Sequence, residues 1–83
     1  MYFKSDFIQS HQDTIDKEVK EVIEDITKSL KENGFCQIGY SLDGPAGIVL
    51  AIANDVKLEL EQYGWNVNVE ANPNSKTIKF LVQ

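Results

Sequence analysis

The sequence predicts an α+β fold: a two-layer α/β sandwich in which two helices cover one face of a three- to four-stranded mixed sheet. Three observations predict it. Two long segments carry apolar residues at helical spacing, each ends in a glycine followed by an aromatic residue, and short alternating segments follow. The predicted element order is (β)-α-β-α-β-β. The 83 residues are expected to form one domain, 1–83.

The segment 1–9 carries large apolar side chains that something is expected to cover. They are Tyr2, Phe3, Phe7 and Ile8. Their loose alternation predicts an arm lying on the body or an edge strand, and the alternative is a poorly ordered terminus. Tyr2, Phe3 and Phe7 are therefore candidate contacts with a second subunit.

Two helices are predicted, over 10–33 and 45–63. The first has an apolar stripe from Ile15 to Leu30, and Ser10 with Asp13 has the spacing of a capping box. The stripe of the second runs from Ile48 to Tyr63. Glycines at 34 and 64 follow these helices, where a left-handed residue commonly ends a helix.

Strands are predicted over 35–42, 65–70 and 76–82, and the last two form an antiparallel hairpin around an Asn-Pro-Asn-Ser turn. The strand–helix–strand unit predicts a right-handed crossover, so its two strands run parallel as neighbours or with one strand between them. Alternation places polar residues on the sheet face away from the helices. That open face is expected to hold Gln37, Gly39, Ser41, Asn66, Asn68, Glu70, Thr77, Lys79 and Leu81.

Composition excludes several classes of function. The net charge is −5 and every basic residue is Lys, which predicts a poor nucleic-acid binder. No apolar run is long enough for a membrane span, and the single cysteine allows no internal disulfide. We expect a cytoplasmic protein with no cofactor, no metal and no catalytic residues. The lone His11 is interpreted as a solvated helix start, and Cys36 as a buried thiol.

The best small-molecule candidate is the loop that leads into the second helix. Its proposed ligand-binding residues are Ser41, Asp43, Gly44, Ala46 and Gly47. A helix N-terminus favours an anion, and small residues let a ligand approach the backbone. No phosphate-loop motif is present, however, and Asp43 is acidic and able to cap the helix. A tight turn is the alternative interpretation.

A weaker apolar strip on the second helix is a candidate subunit contact. It consists of Leu50, Ala51 and Leu58. A neighbouring helix and the sheet could cover part of it, which is the alternative. Because so short a chain has a thin margin of stability, we expect a homo-oligomer, a dimer or higher.

The layout of the chain resembles short phage-encoded α/β accessory proteins. The stripe from Ile15 to Leu30, the pairs Gly34-Phe35 and Gly64-Trp65, and the segment Thr77–Phe80 carry the resemblance. The resemblance implies an inhibitor of host enzymes or of host defence that acts by binding. From the absent catalytic groups, the small size and the spare apolar surface, we expect a non-catalytic binding protein that inhibits a host protein or sequesters a small anionic ligand. A nucleotide- or ligand-binding domain using loop 43–47 and a minor structural part of a larger assembly are the alternatives.

Overall fold

The computed structural model describes residues 1–83 and contains three helices and three strands. In chain order they are α1 (Lys4–Ser10), α2 (Gln12–Asn33), β1 (Cys36–Ser41), α3 (Ala46–Glu61), β2 (Val67–Asn72) and β3 (Thr77–Val82). The α+β class is therefore confirmed. The chain is elongated, with extents of 45 × 25 × 18 Å.

The sheet has three strands in the order β1-β3-β2, and both pairings are antiparallel. The expectation of a mixed sheet is therefore wrong. β1 and β2 do run in the same direction, as a crossover through α3 requires, but β3 lies between them. The crossover skips one position, and β3, the second strand of the hairpin, occupies it antiparallel to both neighbours.

One face of the sheet belongs to the core and the other is open. Phe80, Ile78 and Val82 of the central strand are at most 1% exposed, and α2 and α3 supply most of the other buried side chains. On the opposite face Gln37, Lys79 and the other predicted polar residues of β1 and β2 are exposed. Thr77 and Leu81 of β3 are only partly exposed there, whereas Lys79 of the same strand is exposed.

The first segment is a helix, not the arm or edge strand predicted for 1–9. The backbone N–H of Phe3 donates to a carboxylate oxygen of Asp6 at 3.0 Å, which caps α1. The hydroxyl of Ser10 donates to the carbonyl of Asp6 within this helix, so Ser10 does not start α2. His11, at φ −116°, separates α1 from α2.

Both glycines that were predicted to follow the long helices have the left-handed conformation. Gly34 ends α2 with φ +69°, and its N–H donates to the carbonyl of Leu30 at 2.8 Å. Gly64 has φ +89° after α3. A β-carbon is unfavourable in this left-handed region, which explains glycine at both joints.

Helix α3 is shorter than predicted, 46–61 in place of 45–63. Tyr63 was expected at the end of its buried stripe, but it lies beyond the helix and is 72% exposed. Strand β2 begins two residues later than predicted, at Val67. None of the three helices has the length and apolar character needed to cross a bilayer.

Candidate functional site

The loop predicted to bind a ligand joins β1 to α3. Ser41 ends β1, Asp43 and Gly44 lie in the loop, and Ala46 and Gly47 begin α3. No side chain caps this helix, so the capping role considered for Asp43 is not observed. The structure thus brings the five predicted loop residues into one exposed segment at an uncapped helix N-terminus.

Gly47 has a structural reason to be glycine that the sequence did not reveal. A β-carbon at this position would stand 2.8 Å from Cε1 and from Cζ of Phe7. The ring of Phe7 therefore packs on the first turn of α3. The same ring stacks on His11 with 4.5 Å between centroids. The ring of Phe7, from the same chain, therefore occupies the space beside Gly47 that was predicted for a ligand.

The three predicted contact residues at the N-terminus differ in their surroundings. Tyr2 and Phe3 are 69% and 61% exposed, whereas Phe7 is partly buried against the core and Gly47. Tyr2 and Phe3 are thus available for contact with another molecule. Phe7 is largely occupied within its own chain.

The outer face of α3 carries the other predicted contact residues. Leu50 and Leu58 are 52% and 53% exposed, and Ala51 is partly buried. The buried stripe of α3 uses other positions, such as Ile52 and Val56. The partial burial of Ala51 agrees with the alternative interpretation, in which neighbouring elements cover part of the strip, while about half of each leucine stays exposed.

An apolar groove between α2 and α3 was not predicted as a site. It has a volume of about 520 Å³ and an apolar lining that includes two aromatic residues. The lining residues are Ile23, Thr27, Leu30, Lys31, Glu59, Leu60, Tyr63 and Trp65. The available sequence signal was the pair of aromatic residues that flank Gly64. Tyr63 fits the periodicity of the apolar stripe of α3, so the sequence predicts a core residue at this position and not the wall of a groove.

The open sheet face holds a second, more polar concavity. Its centre is Lys79, which pairs with Gly39 on β1 and with Glu70 on β2. Gln37, Asn68 and Leu81 form the next row across the sheet. No aromatic side chain projects from this face, so it lacks the stacking platform of RNA-binding sheets.

The single histidine and the single cysteine of the chain have different surroundings. Nδ1 of His11 lies 3.0 Å from the carbonyl oxygen of Phe7. Cys36 is a buried free thiol in β1, 2% exposed. No three His, Cys, Asp or Glu side chains are grouped so that they could share a metal ion.

The surroundings of two side chains raise their pKa values. The hydroxyl of Tyr40 donates to Oδ2 of Asp25 at 3.1 Å. Burial first, and then this hydrogen bond and the negative charge of Asp25, raise the pKa of the Tyr40 phenol far above its ordinary range. On α3, burial and then the charge of Asp16 raise the pKa of the Asp55 carboxyl. Neither group lines the groove between α2 and α3.

Comparison with known proteins gives no relative: no family model, curated protein or solved structure matches this chain. The resemblance to phage-encoded accessory proteins therefore stays a prediction based on layout.

Proposed function

We propose that this chain is a non-catalytic binding protein that holds an apolar helical segment of another protein in the groove between α2 and α3. The observation that carries the proposal is the groove itself, with Tyr63 and Trp65 at one end. Tyrosine and tryptophan are the residue types most often found at binding hot spots. A groove between two helices is also a common seat for an amphipathic helix.

The groove offers both affinity and orientation. Leu30, Leu60 and Ile23 provide aliphatic walls, while Lys31 and Glu59 stand on opposite helices and present one positive and one negative group. An apolar helix that carries one acidic and one basic residue would pair with these two groups. The two pairs would fix the direction in which the helix lies in the groove. Trp65 is only partly buried, so a bound partner would cover more of its side chain.

The layout resemblance suggests the kind of partner. If the chain is an accessory protein of a phage or mobile element, the partner is a host protein, and occupation of the groove inhibits it in the host cytoplasm. The proposal assigns no chemistry to His11, which contacts the carbonyl oxygen of Phe7, or to the buried thiol of Cys36.

The test uses two exposed tyrosines as a matched pair. Immobilised wild-type protein, Tyr63→Lys and Tyr2→Lys are each exposed to host-cell extract, and retained proteins are identified by mass spectrometry. Tyr63 and Tyr2 are 72% and 69% exposed, so both substitutions are expected to leave the fold intact. A protein retained by the wild type and by Tyr2→Lys but lost with Tyr63→Lys supports the groove.

A second readout follows from the single tryptophan of the chain. Binding of the retained protein should shift the fluorescence emission of Trp65 to shorter wavelength, because the indole leaves water. Retention that is equal for all three proteins, or that is lost only with Tyr2→Lys, contradicts docking in the groove.

A second candidate function is binding of a small anionic ligand at loop 43–47. The observation in its favour is that α3 begins at Ala46 without a side-chain cap. Thermal stabilisation by inorganic phosphate or nucleotides would support it. The informative variant is Ala46→Asp, because a side chain at Gly47 would displace Phe7. Stabilisation that persists in Ala46→Asp places the ligand elsewhere.

A further inference from the structure

The outer face of α3 carries an apolar ridge of a regular pattern. Leu50, Asn54 and Leu58 follow one another at intervals of four residues, so they lie along one side of the helix. All three are exposed. Single exposed leucines are common, but two on one ridge of a helix whose opposite side is already buried give it a second apolar face.

This ridge is symmetric about Asn54. When two α3 helices pack antiparallel around a two-fold axis at Asn54, Leu50 of each copy faces Leu58 of the other. The two Asn54 amides then face each other across the axis. An amide carries both donors and an acceptor, so the pair can form hydrogen bonds with itself. The ridge is therefore complementary to a second copy of itself, as a two-fold interface requires.

The distribution of charge along α3 favours an antiparallel pair of α3 helices over a parallel pair. The half of α3 from Ala46 to Asn54 has no charged side chain, and its first turn has no acidic residue. The exposed acid at the other end, Glu61, lies seven residues after Asn54, as Gly47 lies seven before it. An antiparallel pair thus brings Glu61 of one copy toward the first turn of α3 in the other, where Phe7 also packs and where the macrodipole is positive. A parallel pair would place the two Glu61 carboxylates side by side.

We propose that the chain forms a two-fold homodimer through this ridge, with Leu50 of each copy packed on Leu58 of the other. The proposal goes beyond the proposed function, since the ridge shares no residue with the groove between α2 and α3. A variant of the ridge can therefore lose dimerisation while the groove keeps its lining.

A charge exchange on the ridge tests the proposal. The molar mass of the wild type, Leu50→Glu, Leu58→Lys and the double variant is measured by sedimentation from about 1 µM to about 500 µM, a range that brackets weak and moderate dimers. Each single variant should raise the dissociation constant about tenfold or more, because a charge then faces leucine. In the double variant the carboxylate introduced at position 50 of each copy faces the ammonium group introduced at position 58 of the other. Its association should be about tenfold tighter than that of either single variant.

Controls separate the ridge from charge in general. Asn74→Glu adds a negative charge in the exposed β2–β3 turn and should leave the dissociation constant unchanged. Circular dichroism confirms that each variant is folded. A wild type that is monomeric throughout, single variants that associate like the wild type, or a double variant no tighter than the single ones would each overturn the proposal.

Cysteine cross-linking tests the two-fold axis independently. Asn54→Cys should form an intermolecular disulfide on mild oxidation, since the two side chains meet at the axis, while the buried Cys36 does not react. Leu50→Cys alone should not cross-link, because its two copies lie about 12 Å apart along the helices. A mixture of the Leu50→Cys and Leu58→Cys proteins should form an intermolecular disulfide. Cross-linking of Leu50→Cys with itself, or none of Asn54→Cys, would contradict this axis.

Discussion

The ring of Phe7 lies on Gly47, so that a β-carbon at position 47 would stand 2.8 Å from two ring atoms. This contact attaches the short helix α1 to the first turn of α3. Gly47 is the second residue of α3, and glycine costs up to about 1 kcal/mol relative to alanine in a helix. Glycine is therefore present, despite this cost in stability, at the position of α3 that the ring of Phe7 approaches.

A double-mutant cycle on this pair should show strong coupling. In a Phe7→Ala background, Gly47→Ala should stabilise the protein by about 0.5–1 kcal/mol, because helix propensity acts alone. In the wild-type background the ring must move, and the gain should vanish or reverse. Urea denaturation of the four proteins measures the coupling, which we expect to be about 1 kcal/mol. Equal effects of Gly47→Ala in both backgrounds would show that the contact carries no energy.

Stability should fall at alkaline pH because of Tyr40. The pKa of its phenol is raised in the folded state, so the folded protein holds this proton more tightly than the unfolded chain does. The contribution is fully present below pH of about 10, the ordinary tyrosine value, and is lost as the pH rises toward the folded pKa. Tyr40→Phe should flatten this decline in thermal denaturation curves.

The neighbouring carboxylate supplies the control. Asp25→Asn removes the charge beside Tyr40 but leaves its burial, which is the largest cause of the shift. The phenol should therefore ionise at lower pH than in the wild type, yet still above an ordinary tyrosine, as read by absorbance of the phenolate. An unchanged titration in Asp25→Asn would contradict the assigned hydrogen bond.

Asp55 should weaken the fold at neutral pH. Burial and the charge of Asp16 raise the pKa of its carboxyl, so its contribution to stability is present at acid pH and is lost as the carboxyl ionises. Asp55→Asn should raise stability at pH of about 7 by about 0.5 kcal/mol, since solvent screens much of the interaction. Below pH of about 4 the gain should disappear.

Asp16→Asn tests the same pair from the other side. It should lower the pKa of Asp55 and give a smaller gain in neutral-pH stability, because burial remains. A stability gain from Asp55→Asn that is independent of pH would point to helix propensity in place of charge.

The central strand should tolerate truncation poorly. Phe80 is 1% exposed, and its ring meets that of Tyr40 edge-on at 6.1 Å. Phe80→Ala should cost about 3–5 kcal/mol. A domain of this size has about 4–12 kcal/mol in total. Lys79→Ala on the open face of the same strand should cost less than about 0.5 kcal/mol. Similar losses for the two variants in urea denaturation would contradict a core on only one face.

Local chemistry made the second and third helices, their glycine ends and the hairpin predictable. Gly34 and Gly64 have the left-handed conformation that an aromatic residue after a helix-ending glycine suggested. Asn72, placed in the predicted turn, accepts the backbone N–H groups of Asn74 and Ser75. These features depend on residues close together in the chain, so the sequence contains the information directly.

The first helix was missed for a physical reason that is visible in the structure. Phe3, Phe7 and His11 are spaced by four, which is helical, but the adjacent pairs of large residues imitate a strand. The capping partner, Asp6, lies inside the segment. Below eight residues, helical periodicity is too short to outweigh alternation.

The candidate sites depended on long-range packing and were less predictable. Of the weaker strip on α3, Leu50 and Leu58 are about half exposed and Ala51 is partly buried. The approach of Phe7 to Gly47 and the groove at Tyr63 and Trp65 could not be read from spacing, because each joins segments far apart in the chain. The strand order was unpredictable for the same reason, because the pairing of β3 with β1 joins segments far apart in the chain.

The order β1-β3-β2 makes the fold a late event in synthesis. Strands β1 and β2 have no contact as neighbours, and each finds its only partner in β3, which follows both in the chain. A ribosome therefore releases α2, β1 and α3 well before any ladder can close. During that interval β1 has no partner strand, so the backbone N–H and C=O groups of its edge are unpaired. Nascent chains stalled before Thr77 should be substrates for chaperones and proteases, whereas the completed sheet forms in one cooperative step.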